Sequence, residues 1–299
     1  MKFEMKNRLK PCAAISAVIM VIALVMSMMG MGMNLGIDFT GGTLMTYNMG
    51  AAFETADVSA ALNACGVADA QIAAVGEGST QVQIRIKDVE NTDELRDAFE
   101  AEIAKTYPAI EYVDITRVGA VVGAELIENA IKSLTLAAVL MLVYIAFRFD
   151  LYSGGAAVIG LVHDIAIMLS FVVILRGFIR VETTFIAALL TIVGYSINNT
   201  IIIFDRIREN AHKNGVRQLP REQIVNLSVT ESLPRTLNTT ITTLLTIVTL
   251  YILGVDSIKQ FALPLIIGIV AGTYSANMIN GYVWAALLDL RAKAKAKKA

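Results

Sequence analysis

The sequence contains few of the residues that bind metals, form disulfides or act as catalytic nucleophiles. It has two cysteines and two histidines. Cys12 opens an apolar run and Cys65 lies in a polar segment, so no disulfide framework is indicated. No CxxC, HExxH, phosphate-loop or GxSxG pattern occurs, which argues against a metalloenzyme, an ATPase or a hydrolase. We therefore expect a protein that is not an enzyme and that holds no metal or cofactor.

The chain also lacks an excess of charge of either sign. Its 25 basic and 26 acidic residues give a net charge of −1, which does not indicate a nucleic-acid partner. Apolar residues, in contrast, make up 56% of the chain and the mean hydropathy is +0.62, whereas soluble domains have roughly 45–50% apolar residues. Because this excess falls in long blocks, the composition indicates a membrane protein surrounded by lipids.

Six apolar blocks are long enough to cross a bilayer, which needs roughly 20 apolar residues per helix. We predict spans at residues 13–33, 131–147, 153–175, 183–204, 236–253 and 261–288. A basic start followed by an apolar run could also be a signal peptide. The first run is too long for that and lacks an A-x-A cleavage site, so we predict a retained helix.

Basic residues predict the orientation of these spans. They gather before the first span, in the loop 206–235 and in the tail 291–298, and cytoplasmic segments carry the excess of Lys and Arg. We therefore expect both termini in the cytoplasm. The predicted organisation is a first helix at 1–35, an extracytoplasmic domain at 36–125 and five further helices at 126–299, with a short interfacial helix at 221–232.

The polar segment 36–125 reads as one small α+β domain. Strand patterns cover 43–48, 71–75, 81–86 and 110–118, helical patterns cover 57–65 and 92–107, and a turn is expected at 76–79. The order β-α-β-β-α-β predicts a ferredoxin-like fold.

Polar residues inside the predicted spans are the functional candidates, because the membrane penalises them. In the fifth span a helical stripe contains Arg235, Asn238, Thr242, Thr246 and Thr249. The stripe could hold helices together by hydrogen bonds or could line a hydrated path.

The third and fourth spans add further candidates. Asn198 and Asn199 are adjacent in mid-span, and Asp205 lies near the end of the same span. His163 and Asp164 in the third span could be a satisfied polar pair or a titrating site for protons.

Glycines mark two other features. Gly268 and Gly272 in the sixth span have the GxxxG spacing of close helix contacts, for which we expect a packing role. Residues 36–43, which read GIDFTGGT, suit a tight turn between a helix and a strand. A phosphate-binding loop is the weaker alternative, since the motif has no lysine.

Four motifs together resemble the SecF proteins of the SecD–SecF protein-export family. They are GIDFTGGT at 36–43, FRFD at 147–150, VGYSIN at 193–198 continuing to FDRIREN at 204–210, and RTLNTT at 235–240. They occur in the order and membrane layout of that family and span nearly the whole chain.

This resemblance implies a function and partners. It implies a fold shared with RND exporters and an accessory role in the Sec translocase of the bacterial plasma membrane. SecD would be the direct partner, the SecYEG channel and SecA-driven preproteins would be further ones, and an ion gradient would drive the export. An RND-like exporter of lipids or small molecules, or a scaffold subunit without ion coupling, are the alternatives.

The resemblance also indicates which residues are functional candidates. It implies roles for Gly36, Asp38, Thr40, Gly41 and Gly42 in the turn after the first helix. Candidates for ion coupling are Asp164, Asn198, Asn199, Asp205, Arg235 and Asn238. At position 199 the family usually has an acidic residue, whereas this chain has an amide that cannot titrate, so Asp205, Asp164 or an acid of SecD would carry the coupling.

Overall fold

The computed structural model describes residues 6–68, 70–75, 80–86 and 91–296, and long helices dominate it. In these residues, six helical segments are long and apolar enough to cross a membrane. They are α1 (Lys6–Met28), α5 (Ala120–Arg148), α6 (Leu151–Ile174), α7 (Thr184–His212), α8 (Arg221–Leu253), and a run formed by α9 (Asp256–Ser275), the π-helical turn Ala276–Asn280 and α10 (Gly281–Ala296). A small sheet domain lies between α1 and α5, so the predicted fold class is confirmed.

Two helix ends differ from the prediction. Helix α1 ends at Met28 rather than at residue 33, because Gly30 has a positive φ of 79° and the Met31 amide turns back to the Met26 carbonyl. Helix α5 begins at Ala120. The expected domain boundary at residue 125 therefore lies inside α5.

The connection between α7 and α8 is shorter than expected. Only residues 213–220 separate the two helices, whereas the sequence predicted a loop over 206–235. The separate short helix predicted at 221–232 is wrong, because these residues are the first turns of α8, which continues through Pro234. Val225 and Val229 are buried in the helical core, and this packing joins the segment to the spanning helix.

The small domain has the predicted ferredoxin-like topology. Its strands are β1 (Gly42–Asn48), β2 (Gln71–Val75), β3 (Gln81–Ile86) and β4 (Glu111–Val118), and its helices are α2 (Ile37–Thr40), α3 (Thr55–Ala64) and α4 (Thr92–Ile103). The sheet is antiparallel in the order β2-β3-β1-β4. The predicted turn at 76–79 lies outside the described residues.

The core of this domain lies between one sheet face and the helices α3 and α4. Tyr47 and Ile84 of the sheet pack against Leu62 and Phe99, and all four are fully buried. The rings of Tyr47 and Phe99 are 5.2 Å apart, a favourable distance for an aromatic pair. The other sheet face is therefore free to meet the connections between the membrane helices.

Within the membrane domain, α7 and α9 form the tightest contact. A Cβ at Gly268 would lie 2.1 Å from Ile192 Cδ1, and a Cβ at Gly272 would lie 3.1 Å from Ser196 Cβ. The two glycines thus allow the close approach that their spacing predicts. In the most apolar window of each span, 67% of the residues are buried in the α9–α10 run but only 6% in α5, so α5 lies at the periphery.

Candidate functional site

A buried polar cluster lies between α1, α6, α7 and α9, with Asp164 at its centre. Asp164 is fully buried. Its Oδ2 accepts hydrogen bonds from Ser196 of α7 and from Ser275 of α9, the latter at 2.8 Å. Its Oδ1 lies 3.0 Å from His163 Nδ1. The carboxyl group is therefore held from three directions, as the interpretation of a satisfied polar pair requires.

His163 extends the cluster to the first helix. Its Nε2 lies 2.8 Å from Ser16 Oγ of α1, and its ring stacks on Tyr274 with centroids 6.2 Å apart. The His163–Asp164 pair is therefore held by three serines, namely Ser16, Ser196 and Ser275. The sequence reading did not identify Ser16 and Ser196 as candidates, since a single serine in an apolar span is a weak signal.

Asn199 belongs to the same cluster. It is fully buried, and its Nδ2 donates a hydrogen bond of 3.2 Å to Thr273 Oγ1. The Thr273 hydroxyl itself donates to the Ile269 carbonyl at 2.8 Å. The Thr273 hydroxyl also lies 2.8 Å from Thr240 Oγ1. In this arrangement Asn199 Oδ1 has no hydrogen-bond partner among the described residues.

The π-helical turn brings two further amides into the cluster. Asn277 Oδ1 accepts a hydrogen bond from Thr236 of α8 at 3.2 Å, and Asn280 Nδ2 donates to Thr200 Oγ1 at 2.8 Å. Asn280 lies directly against Gly160 of α6, where a Cβ would be 2.2 Å from its Oδ1. Single π turns inside helices often occur at functional sites, but the sequence pattern did not predict this one.

The remaining ion-path candidates lie outside the cluster, on exposed helix surfaces. Asn198 is exposed on α7, although its neighbour Asn199 is buried. Asp205 is half exposed and lies 3.5 Å from Arg148 of α5. On α8 the whole predicted stripe is exposed, namely Arg235, Asn238, Thr242, Thr246 and Thr249.

Arg235 forms no ion pair with Asp205 or Asp164, the two acids of this chain among the ion-coupling candidates. Asp205 contacts Arg148, and Asp164 contacts His163 and two serines. Among the described residues Arg235 makes no ion pair with any acidic side chain. The structure thus leaves its positive charge available to a partner.

The threonines of the stripe satisfy their own hydroxyl groups. Thr242 donates to the Asn238 carbonyl at 3.0 Å, and Thr249 donates to the Leu245 carbonyl at 2.8 Å. Such bonds to the preceding turn let threonine face a lipid or a neighbouring helix without an unpaired donor. The side chains of Asn198 and Asn238 have no such partner among the described residues.

The glycine-rich motif attaches the small domain to the membrane helices. The Gly36 amide donates to the Val181 carbonyl at 2.7 Å, and Asp38 Oδ2 accepts from the backbone amide and the hydroxyl of Thr183 at 2.8 and 2.7 Å. Thr40 Oγ1 donates back to the Gly36 carbonyl at 3.1 Å. The motif therefore binds the segment that precedes α7.

Gly41 and Gly42 turn the chain from α2 into the sheet. Their φ angles are 68° and 125°, a region in which a side chain is strained, so glycine is required. Close to this turn, Arg180 donates to Gln83 of the sheet at 2.8 Å and lies 3.6 Å from Glu182. Burial raises the pKa of Glu182, and the nearby Arg180 partly opposes this rise.

These features define a class of protein: a multi-pass membrane protein with a buried polar cluster at mid-span and a small α+β domain docked on its connecting loops. The sequence matches the family described as protein export membrane protein SecD/SecF, C-terminal, over residues 98–289, and the SecD/SecF GG motif over residues 27–49. The chain belongs to the SecD/SecF family.

Curated relatives agree with this assignment. The chain is 35% identical over 276 residues to the protein translocase subunit SecF of Rhodobacter capsulatus, covering 87% of this chain and 82% of that one. It is 32% identical over 295 residues to the SecF of Acidaminococcus fermentans, covering 95% and 96%. These relatives are named as translocase subunits, which is a transport role.

Solved structures of SecDF have the same fold. One is SecDF, a translocon-associated membrane protein from Thermus, with a TM-score of 0.83 and 32% identity over 97% of this chain. Another is SecDF in a super-membrane-facing form, with a TM-score of 0.67, 30% identity and the same coverage of this chain. This chain spans only 39% and 40% of those two chains.

Proposed function

We propose that this chain is an accessory subunit of the bacterial Sec protein translocase and that it works together with SecD. It would assist the export of preproteins that SecA drives through the SecYEG channel. The observation that carries the proposal is the pair of exposed polar surfaces on α7 and α8, because these surfaces need a protein partner within the membrane.

The position of Asn198 supports the proposal of a partner in the membrane. It lies 14 residues from each end of α7, so it is about 21 Å from either end of the helix. The hydrocarbon core is roughly 30 Å thick, which places this side chain inside it. An amide without a hydrogen-bond partner in hydrocarbon costs several kcal/mol, and packing against the helices of another membrane subunit would remove that cost.

Arg235 and Asn238 extend the argument to α8. Arg235 is 18 residues from the end of the helix at Leu253, or about 27 Å, near one boundary of the hydrocarbon core. A charged side chain at the centre of the core costs roughly 2.5–3.5 kcal/mol, and the cost falls toward the boundary because arginine can extend to the interface. We propose that an acidic group of SecD pairs with Arg235 and that this pair takes part in driving export with an ion gradient.

The proposed location is the plasma membrane, with both termini in the cytoplasm and residues 36–118 outside. The segment 213–220 and the end of α10 carry Lys and Arg and lie at the same end of the helical bundle. The positive-inside rule then puts the small domain on the outer side, where it can contact the exported polypeptide.

Co-purification tests the assignment. The tagged chain, solubilised from its bacterial membranes in mild detergent, should carry SecD and SecYEG. We expect Asn198→Trp to lower the recovered SecD about tenfold, which corresponds to about 1.4 kcal/mol of lost binding free energy.

The matched control is Leu140→Trp, which places the same bulk on the exposed apolar surface of α5. This control should retain SecD. A wild-type chain that is recovered without SecD would refute the proposed function and would favour a solitary exporter. Equal SecD recovery with both tryptophan variants would refute the assignment of the α7 surface.

A further inference from the structure

We propose that the cytoplasmic end of the helical bundle holds a pocket for the phosphate group of an anionic phospholipid, formed where the motifs FRFD and FDRIREN meet. Arg208 of α7 and Trp284 of α10 would bind the phosphate oxygens beside the ring of Phe149. The inference goes beyond the proposed function and needs neither SecD nor ion coupling. It uses the proposed topology only to name the leaflet.

The two motifs are far apart in the sequence and contact each other in the structure. The rings of Phe149 and Phe204 meet edge to face with centroids 6.4 Å apart. Arg208 Nη1 donates a hydrogen bond of 3.0 Å to the carbonyl of Arg148, the last residue of α5. These contacts border a cavity of about 270 Å³, which Trp284 also lines.

Closing the end of α5 uses only a small part of Arg208. A carbonyl at a helix C-terminus is satisfied by one donor, whereas a guanidinium group has five N–H donors in a planar fork. Among the described residues Arg208 makes no ion pair with an acidic side chain. The rest of the fork is therefore available to an acceptor that binds two donors at once, as phosphate does.

The charges around the cavity leave Arg208 uncompensated. The guanidinium groups of Arg148 and Arg208 lie 5.3 and 6.0 Å from the centroid of the same ring, that of Phe149. Arg148 has Asp205 as its acidic partner. Asp150, which also lines the cavity, accepts three hydrogen bonds from the first turn of α6. An anion beside Arg208 would offset the repulsion between the two guanidinium groups.

The indole of Trp284 gives independent evidence for a ligand. Its Nε1 is buried and has no hydrogen-bond partner among the described residues. A buried indole N–H normally has a partner, and because this group can only donate, the missing partner is an acceptor. A phosphate oxygen in the cavity would accept from the indole and from Arg208 together.

The depth of the pocket identifies the source of the phosphate. Arg208 lies ten residues beyond Asn198 on α7, which is about 15 Å and half of the roughly 30 Å thickness of the hydrocarbon core. At the neighbouring helix ends, the apolar side chains of Phe147 and Leu151 are 89% and 68% exposed, so this surface faces lipid. The pocket thus lies at the level of the lipid headgroups, where tryptophan is enriched in membrane proteins.

A second unpaired arginine favours an anionic over a zwitterionic headgroup. Arg291 of α10 lies 5.1 Å from the ring centroid of Tyr152 at the start of α6, and it makes no ion pair within the described part of the chain. Basic side chains close to the membrane surface attract anionic lipids. The ammonium group of a zwitterionic lipid would instead be brought toward two guanidinium groups.

Intrinsic fluorescence tests the pocket directly, because Trp284 is the only tryptophan of the chain. The full chain in a mild uncharged detergent is titrated with short-chain phosphatidylglycerol, with phosphatidylethanolamine of the same chain length, and with inorganic phosphate. We expect a saturable change of the emission with phosphatidylglycerol alone. Equal affinity for phosphatidylethanolamine would overturn the anionic assignment, and saturation by inorganic phosphate at the same concentrations would overturn the assignment to a lipid.

Variants separate the pocket from general attraction to negative charge. We expect Arg208→Gln to raise the apparent Kd for phosphatidylglycerol about tenfold, since it removes the charge-assisted hydrogen bonds. Arg217→Gln is the matched control, because it removes the same charge from an exposed position in the segment between α7 and α8; it should leave the Kd unchanged. An equal loss in both variants, or no loss in either, would overturn the inference.

Trp284→Phe keeps the test decisive if Arg208→Gln lowers the melting temperature. This variant retains an aromatic ring and lacks the N–H donor. Native mass spectrometry of the intact chain then counts bound phosphatidylglycerol in place of fluorescence. We expect a lower occupancy than in the wild type, and an unchanged occupancy would show that the indole does not bind the phosphate and would refute the pocket.

Discussion

At the scale of single residues, the adjacent amides Asn198 and Asn199 show how position on a helix changes the chemistry of identical side chains. Each residue advances about 100° around the helix axis. Asn198 therefore faces outward, and Asn199 faces α9, where it donates to Thr273. Only the buried amide has a hydrogen bond to a neighbouring helix among the described residues.

The first prediction concerns Asn199→Asp. The two side chains are nearly equal in size, and a neutral carboxylic acid can donate to Thr273 Oγ1 as the amide does. A carboxylate cannot donate, and Thr273 could donate to it only by giving up its own hydrogen bond to the Ile269 carbonyl. Burying a carboxylate that lacks a full set of donors costs roughly 1–3 kcal/mol or more. We expect near wild-type stability in acid and a melting temperature that falls by several degrees as the pH is raised.

Thermal unfolding of the purified chain in detergent, over a pH series, measures this effect. Asn198→Asp is the control, since its side chain is exposed and should show no additional pH dependence. Parallel profiles for the wild type and Asn199→Asp would mean that water or a donor already reaches position 199.

At the scale of secondary-structure elements, the close packing of the membrane core depends on the glycine positions of α9. Gly268 and Gly272 allow α9 to approach α7, and the π turn that follows places Asn277 and Asn280 toward the bundle interior. Close packing and the polar cluster therefore depend on the same helix run.

The second prediction compares two helix glycines. Replacing glycine by alanine in a helix gains about 1 kcal/mol of helix propensity where space allows. A Cβ at Gly194 would meet no atom within 4 Å, whereas at Gly268 it would meet two atoms of Ile192 at 2.1 and 2.5 Å. We expect Gly194→Ala to be neutral or slightly stabilising and Gly268→Ala to lower stability by about 1–3 kcal/mol.

Melting temperatures of the two variants, purified side by side, measure the difference. A Gly268→Ala protein as stable as Gly194→Ala would show that the contact between α7 and α9 is looser than the structure describes.

At the scale of the whole molecule, the small domain is docked on the membrane helices by a few polar contacts. Gly36 and Asp38 bind the segment before α7, and Arg180 of that segment binds Gln83 of the sheet. The core of the domain, in contrast, is closed on itself between the sheet and its two helices. Docking and folding thus rest on separate sets of residues.

The third prediction concerns orientation. In a chain with Cys12 and Cys65 replaced by alanine, single cysteines are introduced by Glu111→Cys in β4 and by Asn214→Cys between α7 and α8. Both positions are exposed. We expect a membrane-impermeant thiol reagent to label the first variant on intact spheroplasts and the second only after permeabilisation. The reverse pattern would invert the proposed topology.

The sequence by itself determined the number of spans and the order of strands and helices in the small domain. Both follow from local properties, because a bilayer demands about 20 apolar residues in a row and a half-buried strand alternates with a period of two. It also identified the polar residues that are costly in a membrane, among them Asp164, Asn199 and Arg235.

Only the tertiary structure decided which of these residues meet. It placed Asp164 and Asn199 in one buried cluster with serines and threonines, left Asn198 and Arg235 on exposed surfaces, and joined residues 221–232 to the fifth span. Periodicity assigns residues to a helix face, but the direction of that face depends on which helices pack around it. Those contacts arise between residues far apart in the chain, such as Ser16 with His163 and Asp164 with Ser275.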